Sequence, residues 1–341
     1  MADSPILRIA PLGVPPWETP NPFLFCVHHV DHYPAGNDAL GPAAALTGRQ
    51  IGNDFAGKDG WRMYHGSRVP GFPQHPHRGF ETVTIVRRGL VDHSDSLGAA
   101  ARYGEGDVQW LTAGAGIQHA EMFPLVHSDR DNPLELFQLW LNLPAADKMA
   151  PPYFAMFWAD QVPIVSPAAG VCVTVVAGAL GEVAPPAPPP HSYASKADSD
   201  VAIWLVRLSA GSSWNLPAAA RGSSRFLYFF EGRGLAVSGQ AVADRALLAV
   251  DPDVALRLEA TDGDLEILLL QGRPIAEPVA QYGPFVMSTR AELEQAFADF
   301  QRTRFGGWPW PSADPVNGRE DRFARRPDGE RELPGTARKR G

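Results

Sequence analysis

His75-Pro76-His77-Arg78-Gly79-Phe80-Glu81-Thr82-Val83-Thr84-Ile85-Val86, taken together with the later His119-Ala120-Glu121, decides how this chain is understood. Side chains two apart on a β-strand point to the same face. His75 and His77 therefore share a face, and so do His119 and Glu121. Two such pairs on neighbouring strands can close around one ion. Three imidazoles and one carboxylate form a mixed nitrogen and oxygen set suited to a redox-capable first-row metal, with no thiolate needed. Spacing leaves the carboxylate open between Glu81 and Glu121. Glu81 would share the face of His77 if the strand ran on unbroken, and the Arg78-Gly79 step is a candidate bulge between them.

The surroundings read as strands. Glu81 to Val86 is rich in β-branched residues, and Asp107 to Thr112 follows a Gly-Glu-Gly turn. From Glu135 to Leu143, Phe137, Leu139, Leu141 and Leu143 alternate with Leu136, Gln138, Trp140 and Asn142, which predicts a half-buried strand. The 33 glycines and 33 prolines fall between short apolar segments, as turns in a mostly β chain require. Pro144 to Pro152 breaks the pattern and is the expected domain boundary. Strand-like segments then recur at Val171–Val176, Val201–Leu208, Arg225–Phe230, Leu256–Leu258 and Leu265–Leu270, so two similar β-domains in tandem are expected. Pro185–Pro190 reads as a long loop within the second. One helix is signalled by the capping box Thr289/Glu292 ahead of Leu293, Ala296, Phe297 and Phe300, with Gly306-Gly307 as its stop.

Composition narrows the function. With 341 residues, 45% of them hydrophobic, the chain can bury a core in each of two domains. A net charge of -8 with scattered basic residues argues against direct nucleic-acid binding. Two cysteines, Cys26 and Cys172, exclude a disulfide framework or a cysteine-based zinc site and fit a reducing compartment. The first residues lack the cationic flank and apolar stretch of a signal peptide, so none is expected, and no run approaches the roughly 18 apolar residues of a membrane helix. A soluble, cytoplasmic protein with no membrane contact is the expectation. The last histidine is His191, so the second β-domain is expected to be metal-free.

Gln74–Thr84, Gly106–Gly114, Gly116–Met122 and Gln138–Pro144 resemble the pirin family of bicupins. The resemblance continues through Gly272–Val279 and Tyr282–Met287, and so spans Pro22 to Phe305. It implies an all-β fold of two tandem cupin barrels, each a double-stranded β-helix or jelly roll, with a C-terminal helix. The domains would be 1–147, metal-binding and carrying an inserted loop at 34–70, and 148–311, metal-free, with 312–341 a disordered tail. The family's ligand positions fall on His75, His77, His119 and Glu121, with Fe(II) the usual metal and other divalent first-row metals as alternatives. Glu81 is then left in a supporting role or paired with Arg78 or Arg87.

Pirin relatives are associated with quercetin 2,3-dioxygenase activity, in which a flavonol enolate meets dioxygen and loses carbon monoxide as its central ring opens. The resemblance thus implies a small aromatic, enolic substrate and dioxygen as partners, with Glu121 completing the metal site and, where it loosens, accepting the substrate hydroxyl proton. It also implies an alternative, because eukaryotic pirins are regarded as transcriptional co-regulators: a non-enzymatic, redox-sensitive iron protein that binds a protein partner. Other residues invite plainer readings. His28, His29 and His32 with Asp31 read as a strand end rather than a second metal site, His93 as a turn residue near the pocket, and Cys172 as core. Trp110, Trp140, Phe80 and Phe123 are candidate pocket or core aromatics, the 34–70 segment a candidate lid, and Arg338-Lys339-Arg340 a solvated basic end.

Overall fold

A computed structural model describes residues 4–335 of the chain. It is built almost wholly from strands, with one α-helix, Arg290–Thr303, and short 3-10 turns. None of its helices is long and apolar enough to cross a membrane. Two compact units form, each a barrel of β-sheets, as expected of tandem cupins.

The first barrel lies in the unit comprising His28–Gln138, Leu143–Asp160 and the residues from Glu277 onward. One of its sheets runs in the order Tyr153–Phe157, Val108–Thr112, Phe80–Arg88, Asn132–Asn142, Phe23–Tyr33. The other runs Arg331–Glu332, Phe323–Arg325, Ala100–Gly104, Leu90–Asp95, Ile117–Met122, Gly71–His77. Val86, Val91, Tyr103, Leu111, Ile117, Phe123, Leu136, Phe154 and Met156 close a core between them. The alternation of Asn132–Asn142 is real but almost all of it is buried, only Pro133, Gln138 and Trp140 reaching solvent. Leu134 and Leu136 point into this core, so Gln138 does as well.

The second unit holds residues up to Val27, Leu139–Asn142 and Gln161–Ala276. Its larger sheet runs Ile6–Pro11, Ala246–Val250, Ser224–Gly232, Leu265–Gly272, Ala202–Leu208, Val171–Ala177, Ile164–Ala168. Val173, Val206, Leu227, Phe229, Ile267 and Leu269 fill its interior. Cys172, read above as core, is exposed, because Val171, Val173 and Val175 take the inward positions of that strand. We keep 1–147 and 148–311 as proposed domain limits, while packing groups the chain termini differently.

Two further expectations change. The segment after Ser312, expected to be disordered, is ordered as far as Gly335. Phe323–Arg325 adds to the Ala100–Gly104 strand, Arg322 pairs with buried Asp107 at 2.9 Å, and the Asn317 backbone N–H donates to Asp92 at 2.7 Å. Arg338-Lys339-Arg340 lies outside the described residues. The helix starts at its Thr289/Glu292 capping box as read, but it stops at Arg304, whose left-handed φ of 50° ends it before the glycine pair.

Candidate metal centre

The Gly71–His77 and Ile117–Met122 strands pair antiparallel, with His75 opposite His119 and Phe72 opposite Glu121. This register turns the two-residue spacings into a cluster. Nitrogens of His75, His77 and His119 all lie within 4.8 Å of one another. Their ring centroids are 4.4 to 4.9 Å apart and their planes are inclined by 51 to 86°. Rings so inclined do not stack on one another, and their nitrogens are close enough to share one ion.

Hydrogen bonds fix two of the tautomers. His75 Nδ1 lies 2.9 Å from the Pro73 carbonyl and His77 Nδ1 lies 3.4 Å from that of Pro284, so each Nδ1–H donates and each Nε2 keeps its lone pair. His119 is fully buried, yet neither of its ring nitrogens has a hydrogen-bond partner. A buried imidazole left this way is costly unless something else engages it. Burial also pushes the pKa of all three rings down, that of His75 to about 4 against the opposing Pro73 carbonyl. For His77 and His119 neighbouring imidazoles add to the same effect. Three neutral rings at neutral pH, with nitrogens within 4.8 Å of one another and one member lacking any hydrogen bond, fit a divalent metal ion.

Glu121 stands beside them. Its Oε2 is 3.8 Å from His119 Nε2 and accepts from Gln138 Nε2 at 2.8 Å, while Oε1 accepts from Thr84 Oγ1 at 3.3 Å. Burial raises its pKa, and His93, Gln138 and Thr84 partly oppose the shift. Glu81 is elsewhere. Gly79, at φ 85°, turns the chain out of the His75 sheet and into the facing one, so strand parity does not carry through from His77. Thr84 and Val86 face the barrel interior, which places Glu81 on the outer face, where it accepts from Thr112 Oγ1 at 2.7 Å. Arg78 pairs with Asp299 and Arg87 with Glu135.

The remaining candidates disperse. His28 stacks on Phe137 and bonds Glu135, while His29 bonds the Tyr64 hydroxyl and Asp31 takes Tyr64 and Arg62. His93 is a strand residue rather than a turn residue, opposite Glu121, bonded to Asp95 at 3.1 Å and stacked on Phe154. Of the four aromatics, Phe80 packs against His77 and Phe123 joins a ring cluster, whereas Trp110 contacts Phe157 and Trp140 contacts Phe25.

Sequence reasoning missed Thr84 and Gln138. Gln138 had a signal, as an amide interrupting the Leu134, Leu136 face of its strand. It also missed the ring cluster in which Phe55, Tyr64 and His65 of the 34–70 segment surround Phe72 and Phe123, with centroids 5.0 to 6.4 Å apart.

Fold and site together define a tandem-cupin protein whose first barrel carries a three-histidine group able to hold a metal. Residues 47–141 match the Pirin family and residues 203–306 its Pirin C-terminal cupin domain. The chain belongs to the pirin family. A Pseudomonas aeruginosa protein that carries a provisional quercetin 2,3-dioxygenase name is 42% identical over 241 residues, 69% of this chain and 79% of its own length. Human pirin is 33% identical over 251 residues, 71% of this chain and 80% of its own. The crystal structure of quercetin 2,3-dioxygenase from Acinetobacter baumannii is similar with a TM-score of 0.67 at 29% identity, over 84% of this chain and 87% of that one.

Proposed function

We propose that this chain is an iron-dependent dioxygenase acting on a flavonol-like, enolic substrate such as quercetin, with His75, His77, His119 and Glu121 as metal ligands. The observation that carries this reading is His119, buried with both nitrogens unpartnered between two oriented imidazoles and a carboxylate. The names of the Pseudomonas and Acinetobacter relatives support the choice of reaction.

When bound, the metal supplies open coordination positions for the enolate and dioxygen and a positive charge beside the substrate oxygen. The protein does the rest. His75 and His77 are held ready by the Pro73 and Pro284 carbonyls, so little reorganisation is needed for them to ligate. Gln138 and Thr84 position Glu121. When it loosens from the metal, its carboxylate can take up the substrate hydroxyl proton. Phe72, next to Glu121 in register, and its ring cluster offer an apolar wall to a flat aromatic body.

Anaerobic loading with Fe(II), then oxygen uptake and carbon monoxide release on adding quercetin, tests the proposal. Stoichiometric uptake and release that vanish in His119→Ala are expected. No turnover with any divalent first-row metal would overturn it and leave the partner-binding reading, which requires a captured protein whose affinity differs between ferrous and ferric forms.

A further inference from the structure

The second barrel has an inward-facing charge of its own. Leu227 and Phe229 fill its interior, so Arg225, on the same face of that strand, also points inwards. Gln271 occupies the same position relative to Leu269, and Arg225 and Gln271 are direct partners across the sheet. Arg225 is only 2% exposed. Its Nε and Nη2 both donate to Gln271 Oε1, and Nη1 donates to the Pro217 carbonyl at 2.8 Å. That engages three of the five guanidinium N–H groups, all on neutral acceptors.

Asp200 is the nearest anion in this network, but its Oδ2 is taken by Gln271 Nε2 at 2.9 Å, Ser223 Oγ at 2.6 Å and the Ala220 N–H at 2.9 Å. Its charge reaches Arg225 through the amide, not by contact. Burial accordingly outweighs it and pushes the Arg225 pKa down to about 10. A buried guanidinium without a touching carboxylate is an expensive arrangement unless something completes it. Beside it lies a cavity of about 460 Å³, lined by Arg225, Gln271, Trp204, Leu180, Lys196 and Asp200. That volume lies in the range of small-molecule sites, and its walls set Trp204 and Leu180 beside two cations, Arg225 and Lys196, and one carboxylate whose Oδ2 is already engaged.

We propose that this end of the second barrel binds a small organic carboxylate, its oxygens on the two remaining N–H groups of Arg225 and its apolar body against Trp204 and Leu180. A bound water could satisfy those donors but not the charge, whereas a carboxylate does both. The site is independent of the metal centre and of the reaction proposed there.

The test is a titration of the full-length, metal-loaded protein with benzoate, followed by the indole N–H resonance of Trp204, identified by its loss in Trp204→Phe. A saturable shift is expected in the parent protein and in His119→Ala, with affinity at least tenfold weaker in Arg225→Gln and Arg225→Lys. No saturable shift in the parent, an affinity equal to the parent's in the Arg225 variants, or a shift lost in His119→Ala would each overturn the proposal. Should Arg225→Gln fail to fold, as its near-ultraviolet dichroism would show, the parent titration and Arg225→Lys decide.

Discussion

His119 and Glu121 sit two residues apart on one strand, and their environments differ in what they ask of a metal. His119 has no hydrogen-bond partner at either ring nitrogen, whereas Glu121 is already held by Thr84 and Gln138. Removing an imidazole should therefore abolish metal retention. Glu121→Gln keeps an oxygen donor but loses the charge, and should weaken it by at least about 10-fold, the smaller loss seen when a group that merely supports the ligands is removed. Glu81→Gln should leave metal affinity unchanged, since Glu81 faces out of the barrel onto Thr112. Competitive chelator titrations separate these cases, and a loss of metal in Glu81→Gln equal to that in Glu121→Gln would refute the assignment.

A second residue-scale prediction concerns His29, whose pKa is pushed down to about 3 by burial, with Arg62 and His28 adding to it. An unfolded chain takes up this proton near the usual imidazole value of about 6.5. Between these limits the unfolded state binds more protons, so stability falls as pH drops from about 6.5 towards 3. Urea midpoints of the metal-free protein should fall over that window, and less steeply in His29→Phe. An unchanged slope in the variant would contradict the account. The histidines were legible because metal ligands declare themselves by side-chain type at period-two spacing. Gln138 and Thr84 were not, because their role depends on which face of a strand the fold turns inwards.

Among the elements, the turn at Gly79 decides the site, because it parts the His75 strand from the Glu81 strand. A Cβ there would lie 1.9 Å from the Val286 carbonyl oxygen, at a φ of 85° that L residues avoid. Gly79→Ala should cost more than about 1 kcal/mol in a chemical denaturation curve. It should also displace His77, which precedes the turn by two positions, and so reduce metal content. A variant as stable as the parent would show that the turn is not constrained. The helix offers a local comparison. Thr289 Oγ1 accepts from the Glu292 N–H at 3.2 Å and Glu292 returns the bond at 2.9 Å, so Thr289→Ala should cost about 1 kcal/mol. This cap could be read from four residues. The strand at Phe323–Arg325 could not, since its partner, Ala100–Gly104, lies far off in sequence and little in its own charged, Gly- and Pro-rich surroundings marks it.

At the scale of the whole chain, repeated short strands between turns made two β-barrels legible, and the pirin resemblance named their kind. The grouping of segments was not legible, because it depends on contacts between distant stretches: residues from Glu277 onward pack with the first barrel. Arg102 holds Asp92 through two bonds of 2.7 Å and also donates to the Glu320 carbonyl, while Arg322 holds Asp107. Cutting the chain after Pro315, which keeps the Ala313 carbonyl that accepts from the Gln74 N–H beside His75, would leave Asp107 buried without its arginine, which should cost about 3 kcal/mol or more. The melting temperature should drop while the metal content of the folded fraction stays at the parent level. Loss of metal from folded, truncated protein would tie the tail to the site and contradict this division of roles.

The central claim is that three histidines and Glu121 of the first barrel hold one metal. Elemental analysis of gently purified parent protein alongside His119→Ala and Glu81→Gln tests it most directly. The account predicts one first-row metal ion per chain in the parent and in Glu81→Gln, and none in His119→Ala. A parent protein free of metal, or a His119→Ala variant that keeps its ion, would contradict it.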